Sequence, residues 1–155
     1  MEIAEAAAET VLSNQAVTPL NVMYAKAGLA FLALPKGDQS AAKEHYADLI
    51  GQRGTMIWTV SSVDRLLGLL SQTMGGLDQA ASHFEDALAF CRKAGYRPDL
   101  AWTCCDYADT LLQRNGDGDQ ARAMSLLNES FAISSELGMR PLMERVLSRQ
   151  EILKA

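Results

Sequence analysis

Apolar residues recur along this chain at helical spacing. Over residues 19–34, Leu20, Tyr24, Leu29 and Leu32 return at offsets of three to five. Over 77–91, Leu77, Ala80, Phe84, Ala87, Leu88 and Cys91 trace one buried stripe. No segment sustains the period-two alternation of a strand. The run MIWTV, residues 56–60, is the one candidate; it leads into a helical pattern and reads as the start of a helix. Glycine and proline divide the chain into about eight helices, roughly 2–16, 19–34, 38–51, 57–74, 77–95, 98–115, 119–137 and 140–153. No low-complexity linker interrupts them, so residues 1–155 are expected to form one all-α domain.

The pattern also repeats. Leu67-Gly68 is followed twelve residues after the glycine by Ala80, then by Phe84 and Ala87. Thirty-eight residues upstream, Leu29-Ala30 leads to Ala42, Tyr46 and Leu49 in the same register. Downstream, Tyr107-Ala108 leads to Ala123, Leu127 and Ser130, with three extra residues absorbed by the turn NGDGD. Two antiparallel helices pack closely only where small residues sit at their crossing, which explains Gly68, Ala30 and Ala108 opposite Ala80, Ala42 and Ala123. The larger residue one turn later fills the space between neighbouring hairpins. A shift of forty-three residues superposes Gly95, Arg97 and Pro98 on Gly138, Arg140 and Pro141. Glycine takes a positive φ cheaply at a helix end, and proline suits a helix start, so both stretches read as joints between units. Arg97 and Arg140 are placed there to satisfy the last carbonyls of the helix just ended.

The ladder of Leu67, Gly68, Ala80, Phe84 and Ala87 resembles a tetratricopeptide repeat; Asp64 and Ser71 depart from that pattern, standing where it has aromatics. The resemblance covers roughly residues 19–143. It implies a right-handed α-solenoid of about three hairpins, near 19–52, 57–95 and 98–137, with an extra helix at each end, 2–16 and 140–153. Together with YADTLLQRNGDGDQARAMSLLNESFAISSELGM, it is similar to the C-terminal repeat region of large bacterial signalling ATPases, some related to maltose-regulon-type activators and others linked to cyclases. No nucleotide-binding or cyclase segment is present in these residues, so a fragment or a short stand-alone relative is expected. In that family the repeats serve as a sensor and interaction region.

In such arrays the first helix of each repeat lines the concave face. The resemblance then places Tyr24, Ala27 and Phe31, then Arg65, Leu69 and Gln72, then Trp102, Cys105, Asp109 and Gln113 on that face. Tyr24, Phe31, Arg65, Leu69, Gln72, Trp102, Asp109 and Gln113 are the candidate protein-binding groove, since aromatic and Arg side chains are good anchors. The family's carboxylate clamp uses Lys, Asn and Arg; Ala27, Phe31, Leu69, Cys105 and Asp109 stand at such positions, which argues against an acidic peptide C-terminus as ligand.

Charge narrows the partners. Net charge is −5, without the basic footprint of a nucleic-acid surface or a polybasic membrane anchor. The start, MEIAEAAAETVL, carries acids where a signal peptide carries bases, and no apolar run is long enough to span a bilayer. Cys91, Cys104 and Cys105 make a poor disulfide framework, so a soluble cytoplasmic protein with reduced thiols is expected. Of the adjacent pair Cys104-Cys105, one is expected in the core and the other facing the groove or partly exposed.

Candidate chemistry is sparse. NGDGDQ lacks the sixth-position glycine and twelfth-position acid of a calcium loop, and reads as a polar turn. His45 and His83 occupy equivalent places in successive repeats, too far apart to share a metal directly. Glu85-Asp86 and Asp106 with Asp109 read as surface charges. No phosphate loop, nucleophile elbow or triad is present, so no catalytic, cofactor or metal residue is assigned. The expectation is a non-catalytic protein- or peptide-binding scaffold or sensor of a bacterial regulatory protein. The alternatives are an oligomerisation module acting through the end helices, with Leu142, Val146, Leu147, Ile152 and Leu153, or a small-molecule sensor with an apolar ligand between Tyr24, Phe31 and Trp102.

Overall fold

The structure, a computed structural model, describes residues 2–58 and 60–154. Eight α-helices account for most of them: α1 (Glu2–Ser13), α2 (Pro19–Ala33), α3 (Gln39–Leu49), α4 (Val63–Thr73), α5 (Leu77–Ala94), α6 (Arg97–Arg114), α7 (Asp119–Glu136) and α8 (Arg140–Lys154). The all-α expectation therefore holds. Polar caps set several of the starts: the Thr18 hydroxyl accepts from Asn21 N–H, Asp38 from Ser40 and Ala41 N–H, and the Ser62 hydroxyl from Arg65 N–H.

The run at 56–60 is not the start of a helix. Met56–Ile57 (β1) pairs antiparallel with Ser61–Ser62 (β2), and α4 begins only at Val63. Thr59 lies outside the described residues. β-branched and aromatic side chains favour extended backbone. Here the ladder is extended by Val63 N–H donating to Thr55 C=O at 2.9 Å, and Asp99 of α6 accepts the Ser62 N–H at 2.8 Å. The turn between the strands carries Trp58 at φ 52°.

Each helix packs on its successor, from α1 on α2 to α7 on α8, and α2 also touches α4 as α4 touches α6. The repeated small residues Ala30, Ala42, Gly68, Ala80, Ala108 and Ala123 are all buried. At Gly68 a Cβ would sit 2.9 Å from the Phe84 ring, so the glycine makes room for that side chain. Phe84 in turn stacks on Tyr107 of α6, centroids 5.6 Å apart.

The two joints are alike in backbone. Gly95 has φ 73° and Gly138 φ 67°, and each is followed by an N–H bonded five residues back: Tyr96 to Cys91 C=O at 3.0 Å, Met139 to Ser134 C=O at 2.8 Å. Arg97 does not cap the preceding carbonyls. Its guanidinium grips Glu136 of α7 with two bonds of 2.5 and 2.6 Å, because a carboxylate offers it a bidentate partner.

Candidate functional site

The predicted face is held together by charge. Arg65 on α4 donates through Nε to Asp106 on α6 at 2.8 Å and through Nη1 to Asp99 at 3.4 Å and Ser61 at 3.3 Å. From the other side, Arg145 on α8 reaches Asp106 at 2.9 Å and Asp109 at 2.8 Å, and Arg149 donates to Asp109 at 3.0 Å. The Trp102 ring lies among them, with the Arg65 and Arg145 guanidinium carbons 5.6 and 5.8 Å from its centroid. Farther along the same helices, Gln72 Nε2 donates to Gln113 Oε1 at 3.1 Å.

Four of the eight predicted groove residues thus meet across α4 and α6, Arg65 with Trp102 and Gln72 with Gln113, while Asp109 on α6 is tied to α8. Leu69 packs against the core beneath them. Tyr24 and Phe31 pack instead against the other core cluster, around α2 to α4. Tyr24 stacks on Trp58 at 5.4 Å beside an apolar cleft of about 310 Å³, which Ala7, Ala8, Val11 and Ala25 also line. Neither Phe31 nor Trp102 lines that cleft.

Several readings of single residues need correction. Asp106 is not a surface charge; it is 2% exposed, because two arginines and α6 enclose it. Ala27 does not line an open groove, and neither Cys104 nor Cys105 is groove-facing, since all three are fully buried. Burial raises the thiols of Cys91 and Cys105 to about 12 and pushes Cys104 up as well.

A second polar cluster lies near α4 and α5. A cleft of about 320 Å³ is lined by Arg53, Gly54, Asp64, Asp86 and Phe90. The Arg53 guanidinium pairs with Asp86 and approaches Asp64 at 3.5 Å, while Gly54 N–H donates to Asp64 Oδ2 at 2.6 Å. His83 stands one turn before Asp86. Its Nε2 lies 2.9 Å from the Tyr46 hydroxyl, to which Gln79 also donates, and its Nδ1 is buried without a hydrogen-bond partner. Burial, then the charge of Arg53, lowers the His83 pKa and favours the neutral ring. One ring nitrogen and one oxygen from each aspartate all lie within 4.8 Å of one another.

The turn at 115–120 uses its carboxylate internally. Asp119 accepts from Arg114 at 2.7 and 2.9 Å and from Gly116 N–H at 2.9 Å. These bonds hold its carboxyl at about 2.

No helix among the described residues is long and apolar enough to cross a membrane. No family model, curated protein or solved structure matches the chain.

Proposed function

We propose that this chain is a non-catalytic protein- or peptide-binding scaffold, a tetratricopeptide-like solenoid whose even-numbered helices present the binding face. The observation that carries this reading is the lateral bonding of that face. Arg65 and Gln72 on α4 meet Asp106 and Gln113 on α6, which in turn is tied through Asp106 and Asp109 to Arg145 on α8. The odd-numbered helices are tied on their own side, Tyr46 on α3 to His83 on α5, and Arg92 on α5 to Glu129 on α7. Two such layers of alternate helices are what a solenoid of hairpins requires. A surface preorganised by internal bonds loses less side-chain freedom when a partner docks.

The test is a selection of peptides from a displayed library on the immobilised chain, followed by affinity measurement on variants. Reversing Arg65 would set a carboxylate beside Asp99 and Asp106 and damage the fold. Gln72→Arg with Gln113→Arg alters the rim instead. Selected peptides should lose at least tenfold in affinity for that variant. Unchanged affinity would remove this face from the account.

A second reading is self-association through the end helices. It is favoured by α1, which buries none of its residues, and by Ile152, which is 67% exposed near the other end. Light scattering at rising concentration tests it: Ile3→Glu with Ile152→Glu should hold the chain monomeric where the parent dimerises.

A further inference from the structure

We propose that Asp64, His83 and Asp86 form a binding site for a divalent transition-metal cation of the zinc type, and that the cation displaces the Arg53 guanidinium. The donor set is one imidazole nitrogen and two carboxylates, a combination suited to such ions. The three donor atoms lie within 4.8 Å of one another. Tetrahedral coordination at zinc–ligand distances needs about 3.4 Å between donors, so closure requires a shift of at most about 1.4 Å. Asp86 can supply it, since its side chain is 45% exposed.

Two of the donors are already oriented. Gly54 N–H fixes Asp64 through Oδ2 and leaves Oδ1 facing Arg53. The Tyr46 hydroxyl holds the His83 ring through Nε2. With Gln79 donating to the Tyr46 oxygen, that oxygen can accept a second bond from His83 Nε2–H. The tautomer that results bears its lone pair on Nδ1, which is buried and unpartnered. An outer oxygen on one ring nitrogen with the other nitrogen bare is the usual arrangement of a metal-bound histidine. A purely structural ion pair between Arg53 and the two aspartates has no use for this nitrogen.

Arg53 is the only part of the cluster that resists a metal. Its side chain is 51% exposed, so it can swing into water when a cation takes its place. Removing it should therefore strengthen binding, about tenfold or more, the factor that a charged hydrogen bond to be broken is worth. An incidental cluster of acids would gain no dependence on His83.

Cobalt(II) titrated into the full chain is the probe, read by its visible absorption bands and by calorimetry. One equivalent should bind, more tightly to Arg53→Ala, and the bands should vanish in His83→Gln and in Asp86→Asn. Circular dichroism checks each variant; should His83→Gln not fold, Asp86→Asn at the half-exposed position carries the comparison. No bands or heat with Arg53→Ala at millimolar cobalt overturns the proposal. So does undiminished binding to the His83 or Asp86 variant, or weaker binding on loss of Arg53.

Discussion

The guanidinium of Arg65 on α4 lies 2.8 Å from the carboxylate of Asp106 on α6, and both side chains are largely withdrawn from water. A buried pair of this kind contributes little over an apolar pair of the same shape, but losing one partner strands the other charge. Asp106→Ala leaves Arg65 only the longer contacts to Asp99 and Ser61, so it should cost at most about 3–5 kcal/mol in urea unfolding. Arg65→Met with Asp106→Leu should cost much less than that single change. Arg145 loses Asp106 and keeps Asp109 in both variants, so the difference between the two reports the α4–α6 contact.

Gly68 gives a steric test of the hairpin crossing. Alanine there gains helix propensity, about 1 kcal/mol, yet its Cβ would sit 2.9 Å from the Phe84 ring. The ring is fully buried and stacked on Tyr107, so it has little room to retreat. Overpacking of this kind costs about 1–3 kcal/mol, and Gly68→Ala should lower the melting temperature. Phe84→Leu in the same chain should recover part of the loss. A higher melting temperature for Gly68→Ala alone would mean that the crossing is looser than drawn.

What could be read from the chain beforehand was what depends on neighbours in sequence. Helical period and the Gly95 and Gly138 helix ends are local signals, and the structure has them where they were expected; the repeated small residues are buried. The start of α4 differs from the expected one because MIWTV has the same apolar content as a helix start, while the Ser62 N–H just before α4 is taken by Asp99, thirty-seven residues away. Asp106 resembled Asp109 and Glu85 in sequence, and only partners on α4 and α8 make it a buried charge. His83 and His45 hold equivalent places in the repeat, yet His83 alone lies in the cluster with Asp64 and Asp86. A buried polar position announces itself by no periodicity. The one hint available was an Asp at 64, where the repeat pattern has an aromatic.

Thiol chemistry should follow burial rather than the adjacency of Cys104 and Cys105. All three cysteines are buried, and desolvation holds their pKa values far above neutrality. A disulfide reagent at pH 8 should react only through local or global opening, hours or more slowly than with a free thiol. In guanidinium chloride all three should react at once. Fast labelling of one thiol in the native chain would place Cys105 on an open face after all.

Acid should weaken the α6–α7 turn in a defined window. Bonds from Arg114, and then from Gly116 N–H, bring the Asp119 carboxyl from its ordinary 3.8 down to about 2 in the folded chain. A carboxyl depressed by folding contributes stability that is complete above the unfolded value. That contribution falls away as protons bind the unfolded chain preferentially, and it is gone once pH passes below the folded value. Melting temperatures of the parent chain and Asp119→Asn should thus differ by a constant amount from pH 7 to about pH 5. The gap should narrow between about pH 4 and pH 2. Arg114→Gln should behave like Asp119→Asn, with the Gly116 bond alone left to favour the charged carboxylate. If the gap between the parent and Asp119→Asn stays the same down to pH 2, the carboxylate is not the group that closes this turn.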